Sequence, residues 1–253
     1  MVLRHGGSAT LTSRSAYEAR GATSVPEVVH RMEEIQTYIE SQEPRGQHDG
    51  IACFNYMYLA ITRRILDGLR NRRFADNGFV ADLDVTFANR YFDALRASVV
   101  QPGAVPESWA VLIDRRSNPH ITGLQFATAG INAHVNFDLG VAVAGTCASL
   151  GSKPDSGNQH AAYQQINQIF AEEIQNLRQR FESGWERLID RLVFQRVLNK
   201  IDDWTMVGIR DVAWEDAEHL WTLRQGGDEG SEFIRHLDEL ASEAGRLLLV
   251  PVI

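Results

Sequence analysis

The chain lacks the short strings that mark the commonest catalytic centres. It has no Gly-x-Gly-x-x-Gly, no P-loop, no Gly-x-Ser-x-Gly, no His-Glu-x-x-His and no EF-hand loop. Those strings build phosphate cradles, nucleophile turns and metal-ligand pairs, so dinucleotide, nucleoside triphosphate, serine-hydrolase and common zinc-protease chemistries have no support. Di-iron carboxylate chemistry needs Glu-x-x-His pairs on facing helices, and none stands in a useful place. Cysteine is scarce. Cys53 and Cys147 make neither a disulfide framework nor a Cys-x-x-Cys metal site, which suits a reducing compartment. Basic charge is short as well, with 25 Lys and Arg against 33 Asp and Glu and a net charge of −8. That balance argues against nucleic acid as a partner. The one local basic cluster, Arg63, Arg64, Arg70, Arg72 and Arg73, reads as a solvated helix end whose cations suit the negative end of the dipole.

Charge is nearly missing from one long internal stretch. Between Pro119 and Leu150, 32 residues carry a single charged side chain, Asp138. The stretch is long enough to span a bilayer, but Gln125, Asn132, His134, Asn136 and Asp138 interrupt it every few residues. It is therefore expected to be the buried central helix of a bundle, kinked near Gly130 or Gly140, and no membrane partner is expected. The N-terminal string MVLRHGGSATLTSRSAYEARG has no apolar signal-peptide core, and its Gly, Ser and Thr content predicts a flexible tail over 1–23. With no export signal, a cytoplasmic location is expected. The remaining 24–253, in a chain 44% hydrophobic and 23% charged, can bury one sizeable core and are expected to form a single domain.

The periodicity is helical throughout. Ser24, Pro26 and Glu27 form a capping-box start for a first helix reaching about Ser41. Ile51, Phe54, Tyr58, Ile61, Ile65 and Leu69 recur at three- and four-residue steps in a second, with Asp49 as a natural cap and His48 in an exposed loop. After the Asp76-Asn77-Gly78 turn, a third runs through Leu83, Phe87, Tyr91 and Leu95 and stops before Pro102 and Gly103. Pro106 opens a short helix carrying Trp109 and Ile113. Beyond the central stretch, an amphipathic helix spans about His160 to Phe181, two or three more occupy Trp185 to Arg224, and a last runs from Glu229 to Leu249. The apolar end from Leu247 is expected to dock on the core. The fold class is all-α: a single compact multi-helix bundle around a buried central helix.

His134 and Asp138 are the focus of that central helix. At a spacing of four they share a helical face, and a carboxylate among Ala, Val, Ile and Phe is costly to desolvate without a partner. An imidazole held by a buried carboxylate has a fixed tautomer and suits a general base. The same two side chains also suit one metal ion, and a packed core pair would look alike. Asp84 shares a face with Ala88 and Tyr91; if that face meets the central helix, Asp84 supplies a second carboxylate. Asn55 with Tyr58 in CFNYMYL, Tyr91, and Asn132 beside Asn136 are candidate substrate-positioning groups, or else satisfied core polar groups. Arg210 and Trp214 share a face at a spacing of four, which suits a packed cation–indole pair; an inward Arg210 would instead bind an anion or a substrate carbonyl. Asp202, Asp203 and Trp204 only superficially resemble a terpene-cyclase acidic cluster, because the further acidic position and partner motif are absent.

The strings FNYMYLAITRR, LDVTFANRYFDAL, LQFATAGINAHVNFDL and RDVAWEDAEHLW together resemble an uncharacterised family of bacterial, actinomycete-type helical proteins, a domain of unknown function, from about Val25 to Leu223. That resemblance implies one helical domain and highlights Asn132, His134 and Asp138, but implies no reaction. The expected function is an enzyme of small-molecule metabolism: a cofactor-independent cyclase, isomerase or hydrolase acting on an apolar substrate in an interhelical cavity. His134 would accept the proton and Asp138 orient it, with Asn55, Tyr58, Asp84, Tyr91, Asn132 and Arg210 around the substrate. The alternatives are a metal-dependent hydrolase using a divalent ion on His134, Asp138 and Asp84, and a non-catalytic small-molecule carrier. A homodimer is the one protein partner envisaged.

Overall fold

Side-chain caps start the helices where the sequence places them. In the computed structural model, which describes residues 17, 21–42, 46–180, 206–224 and 226–251, Ser24 Oγ accepts the amide of Glu27 at the start of α1 (Val25–Glu40). Asp49 caps α2 (Gly50–Arg70) through the Ile51 amide, and Asp76 caps α3 (Asn77–Val100) through that of Phe79. Each such cap is worth about 1 kcal/mol. Helix α4 (Glu107–Arg115) has no side-chain cap of its own. Asp238, on α9 (Glu229–Leu248), reaches across to accept the Glu107 and Ser108 amides, so a tertiary contact completes that helix end.

The central apolar stretch begins with a capping box in which Thr122 and Gln125 bond each other's backbone. It continues as α5 (Gly123–Ala133), a π-helical turn over His134–Leu139, and α6 (Gly140–Ser149). The break in α-helical register thus falls between Gly130 and Gly140 rather than at either glycine. Gly130 has another role: a Cβ there would sit 2.4 Å from Cδ2 of Phe54, so its bare backbone lets α2 approach α5 closely.

This rod is the core. Phe126, Ala133, Val135, Phe137, Leu139 and Val143 on it are all buried, and each larger one contributes about 1.5–3 kcal/mol of apolar burial. Helices α2, α4 and α9 pack around α5, while α3 and α8 (Met206–Leu223) pack on the π turn and α6. Outside them, α1 lies on α2, and α7 (Gln159–Arg180) crosses α2 and α3. Among the described residues there is no strand. The chain is an all-α bundle around a buried central helix, and no described helix is long and apolar enough to cross a membrane.

Two expectations fall largely outside the described residues. Most of the tail over 1–23 lies outside the described residues, but Tyr17 is buried with its ring edge-on to Tyr38, and both backbone groups of Ala22 bond the Asn89 amide. The helices expected from Trp185, and Asp202, Asp203 and Trp204, lie outside the described residues except for α8. At the C-terminus, Leu248 and Leu249 are buried and Gln125 Nε2 donates to the carbonyls of Leu248 and Val250, so these residues dock on the core, while Leu247 and Val250 are exposed and no strand forms among the described residues.

Candidate acid–base site

The end of α5 and the π turn send their polar side chains two ways. Asn132 and Asn136 serve α9: Asn132 Nδ2 donates to the Ala241 carbonyl at 2.7 Å, and Asn136 Nδ2 donates to Asn132 Oδ1 at 3.0 Å. His134 and Asp138 face α3 and α4 instead. Asp138, 1% exposed, accepts from Arg90 Nε at 2.7 Å, Trp109 Nε1 at 2.8 Å and His134 Nδ1 at 3.1 Å. The Arg90 guanidinium also lies 4.9 Å from the Phe137 ring centroid. A cation and two neutral donors therefore hold the lone carboxylate.

Those contacts fix the histidine. A carboxylate has no proton to donate, so Nδ1 carries the hydrogen and Nε2 keeps the free lone pair. The imidazole is stacked on Phe87 with centroids 3.5 Å apart and planes 8° apart, and Tyr58 meets it edge-on at 4.6 Å. Burial pushes its pKa down; the hydrogen bond and charge of Asp138 oppose that, and Arg90 and Arg210 reinforce it. His134 is thus neutral at pH 7 with a basic nitrogen that makes no hydrogen bond.

Two further buried groups share that condition. The Tyr58 hydroxyl and Asp84 Oδ2 are both without a hydrogen-bond partner. Burial alone pushes the Asp84 carboxyl up to about 8, so it is protonated at neutral pH. Burial likewise raises the Tyr58 phenol well above its ordinary value, with the charges of Asp84 and Asp138 adding to the effect. Arg210 completes the polar set. Its Nε donates to Asn167 Oδ1, and its guanidinium lies over the rings of Tyr163 and Phe170, not on Trp214, which stacks on His160. His134, Tyr58, Asp84 and Arg210 line one cavity of about 30 Å³, with apolar walls from α2, α3 and α7. That is room for roughly two or three water molecules.

Asn55, Tyr91 and Asn132 lie outside this cluster, and packing satisfies each of them. Asn55 Nδ2 donates to the Met32 carbonyl and Gln36 Oε1, tying α2 to α1, while its oxygen accepts from the Tyr91 hydroxyl at 3.3 Å. Sequence reasoning missed Arg90 and Trp109. The available signal was the cost of a lone buried carboxylate, which calls for a cation as well as an imidazole.

A divalent ion on His134, Asp138 and Asp84 does not fit this geometry. Both Asp138 oxygens are taken by donors, and among the described residues no three His, Cys, Asp or Glu side chains converge as metal ligands.

A family model described as a family of unknown function, DUF5995, matches residues 25–251. The chain belongs to this family. The match runs from the start of α1 past the end of α9, so every residue lining the cavity lies within it. No curated protein and no solved structure matches the chain.

Proposed function

We propose that this DUF5995 member is a small-molecule enzyme that moves protons in the cavity between α2, α3, the π turn and α8. His134 Nε2 is the base, Asp138 holds its tautomer, and Asp84 is the facing acid with Tyr58 as a second donor. One observation carries the reading: three buried polar atoms, His134 Nε2, Tyr58 Oη and Asp84 Oδ2, line one cavity with no protein partner. Each such atom costs about 1–3 kcal/mol, which a fold has no reason to bear three times in one place unless something fills the gap. A neutral imidazole beside a neutral carboxylic acid is also the pairing that general base and general acid work requires. Cyclisation, isomerisation and hydrolysis all use it. The cavity's small volume favours a second reading, a non-catalytic site for a small ligand. Neither buried cysteine forms a disulfide, which goes with action in a reducing compartment such as the cytoplasm.

The deciding experiment is a panel assay of wild type and His134→Gln, checked for folding by circular dichroism. It reads hydrolysis of short-chain p-nitrophenyl esters, and deuterium exchange from solvent at the α-carbon of short-chain ketones and carboxylates. Activity lost by at least about a hundredfold in the variant supports the base role. Activity that survives the substitution, or no turnover by wild type anywhere in the panel, overturns it.

A further inference from the structure

Arg210 is a buried cation with no ion-pair partner among the described residues, where Asp211 acts on it through its charge without pairing with it. It is 3% exposed, yet among the described residues no carboxylate comes within ion-pair distance of its guanidinium. Its neighbours are the Asn167 amide oxygen and the ring faces of Tyr163 and Phe170. Asp84, the carboxyl that lines the same cavity, is kept protonated by burial and offers no charge at neutral pH. Aromatic faces and one amide recover only part of the cost of desolvating a guanidinium. Among the described residues Arg210 makes one side-chain hydrogen bond, from Nε, and the Tyr58 hydroxyl, which lines the same cavity, makes none.

We propose that the cavity binds a small monocarboxylate, or the carboxylate end of a longer apolar acid, with Arg210 as counter-ion and the Tyr58 hydroxyl as a second donor. The volume suits that head group. About 30 Å³ holds two or three water-sized atoms, so a carboxylate of two oxygens and a carbon fits, while a phosphate, larger and dianionic, would need more room and a second cation. Met57, Ile61, Ile65 and Leu83 line the same cavity with hydrocarbon and sulfur, so an alkyl chain on the head group would have to push them apart. A planar guanidinium presents paired N–H groups at the spacing of carboxylate oxygens. The carboxylate would also lie beside His134, within reach of the unpaired Nε2 for a group next to the acid function. The proposal shares with the acid–base reading the premise that Asp84 holds its proton, and otherwise rests on that reading only for what happens after binding.

The test is binding to wild-type protein, followed by thermal unfolding and by the ring resonances of ¹³C,¹⁵N-labelled His134. Sodium acetate, propionate and butyrate are titrated at pH 6.5, with acetamide and propionamide as neutral isosteres and sodium chloride matching ionic strength. The expected result is a rise in Tm of about 3 °C for each tenfold excess of acid over its Kd, with a saturable shift of the His134 ring signals. The amides and chloride should leave both unchanged. Arg210→Lys, which keeps the charge but loses the fork, should weaken carboxylate binding at least about tenfold, and Arg210→Met should abolish it. Equal effects of acetate and acetamide, equal effects of acetate and chloride, or a carboxylate response without any His134 shift would each overturn the proposal. Wild type alone decides these outcomes, even if Arg210→Met fails to fold. Lost carboxylate selectivity beside intact His134-dependent turnover would remove the ligand and leave the acid–base reading; carboxylate binding with no such turnover would do the reverse.

Discussion

Replacing Asp84 with Asn should make the protein more stable at neutral pH, by an amount that depends on pH in a defined way. Burial holds the Asp84 carboxyl at about 8 in the folded chain, against 3.8 for the ordinary group. Between those values the unfolded chain has released the proton and the folded chain has kept it. The folded state then binds more protons, and stability falls by about 1.4 kcal/mol for each unit that pH rises. Below pH ~4 both states are protonated and the effect vanishes. Above pH ~8 both are ionised, the slope ends and the full penalty stays. At pH 7 it amounts to about 4 kcal/mol. Asn has nearly the same shape and no charge, so it removes the pH-dependent part. Urea unfolding of wild type and Asp84→Asn, run in parallel from pH 4 to 9, isolates this group, because every other titration cancels in the difference. The gap should be near its constant offset at pH 4, widen by over 1 kcal/mol per unit between pH 5 and 7, and level off above 8. A gap that stays flat with pH would mean that Asp84 is already ionised in the folded protein, paired with Arg210. That result would remove both the acid from the site and the unpaired cation from the cavity.

Two further substitutions probe how the site is held. Asp138→Asn offers one carbonyl oxygen to three donors and removes the counter-charge of Arg90, so it should cost about 3 kcal/mol in urea unfolding, since Arg90 is partly exposed and can rehydrate. A loss below 1 kcal/mol would show that the network is not what anchors the π turn. Gly130→Ala brings a methyl group to 2.4 Å from the Phe54 ring, and the overpacking should outweigh the better helix propensity of alanine, lowering Tm by about 4–8 °C. A rise in Tm would refute the close approach of α2 and α5.

Local features of this fold could be read from the sequence, and long-range ones could not. Ser24, Asp49, Asp76 and Thr122 start their helices because capping depends on the next two or three residues alone. The face shared by Asp84, Ala88 and Tyr91 was legible from spacing, and all three are buried. Spacing cannot say which partner a face meets. Asn55 and Asn132 were recognisable as amides in apolar surroundings, but their acceptors, the carbonyls of Met32 and Ala241, lie 23 and 109 residues away in the chain. The same limit hid Arg90 and Trp109 from Asp138. It also misdirected Arg210: the pairing expected with Trp214 gives way to Asn167, Tyr163 and Phe170 on α7. The π turn was illegible for another reason. It is one residue of surplus helix, and no residue type announces it.

That surplus makes chain length at this point as decisive as side-chain identity. Removing any one residue between His134 and Leu139 would let α5 and α6 join as an uninterrupted α-helix with a full set of i→i−4 bonds. The flanking helices would keep their phase, because the π turn absorbs its extra residue by underwinding, and the side chains within the turn would be re-aimed by up to about 100° relative to them. The carboxylate and the imidazole could no longer look toward Arg90 and Phe87 together, although no side chain of the cluster had been altered. A relative of this protein that is shorter by one residue here would keep the bundle and lose the cluster around Asp138.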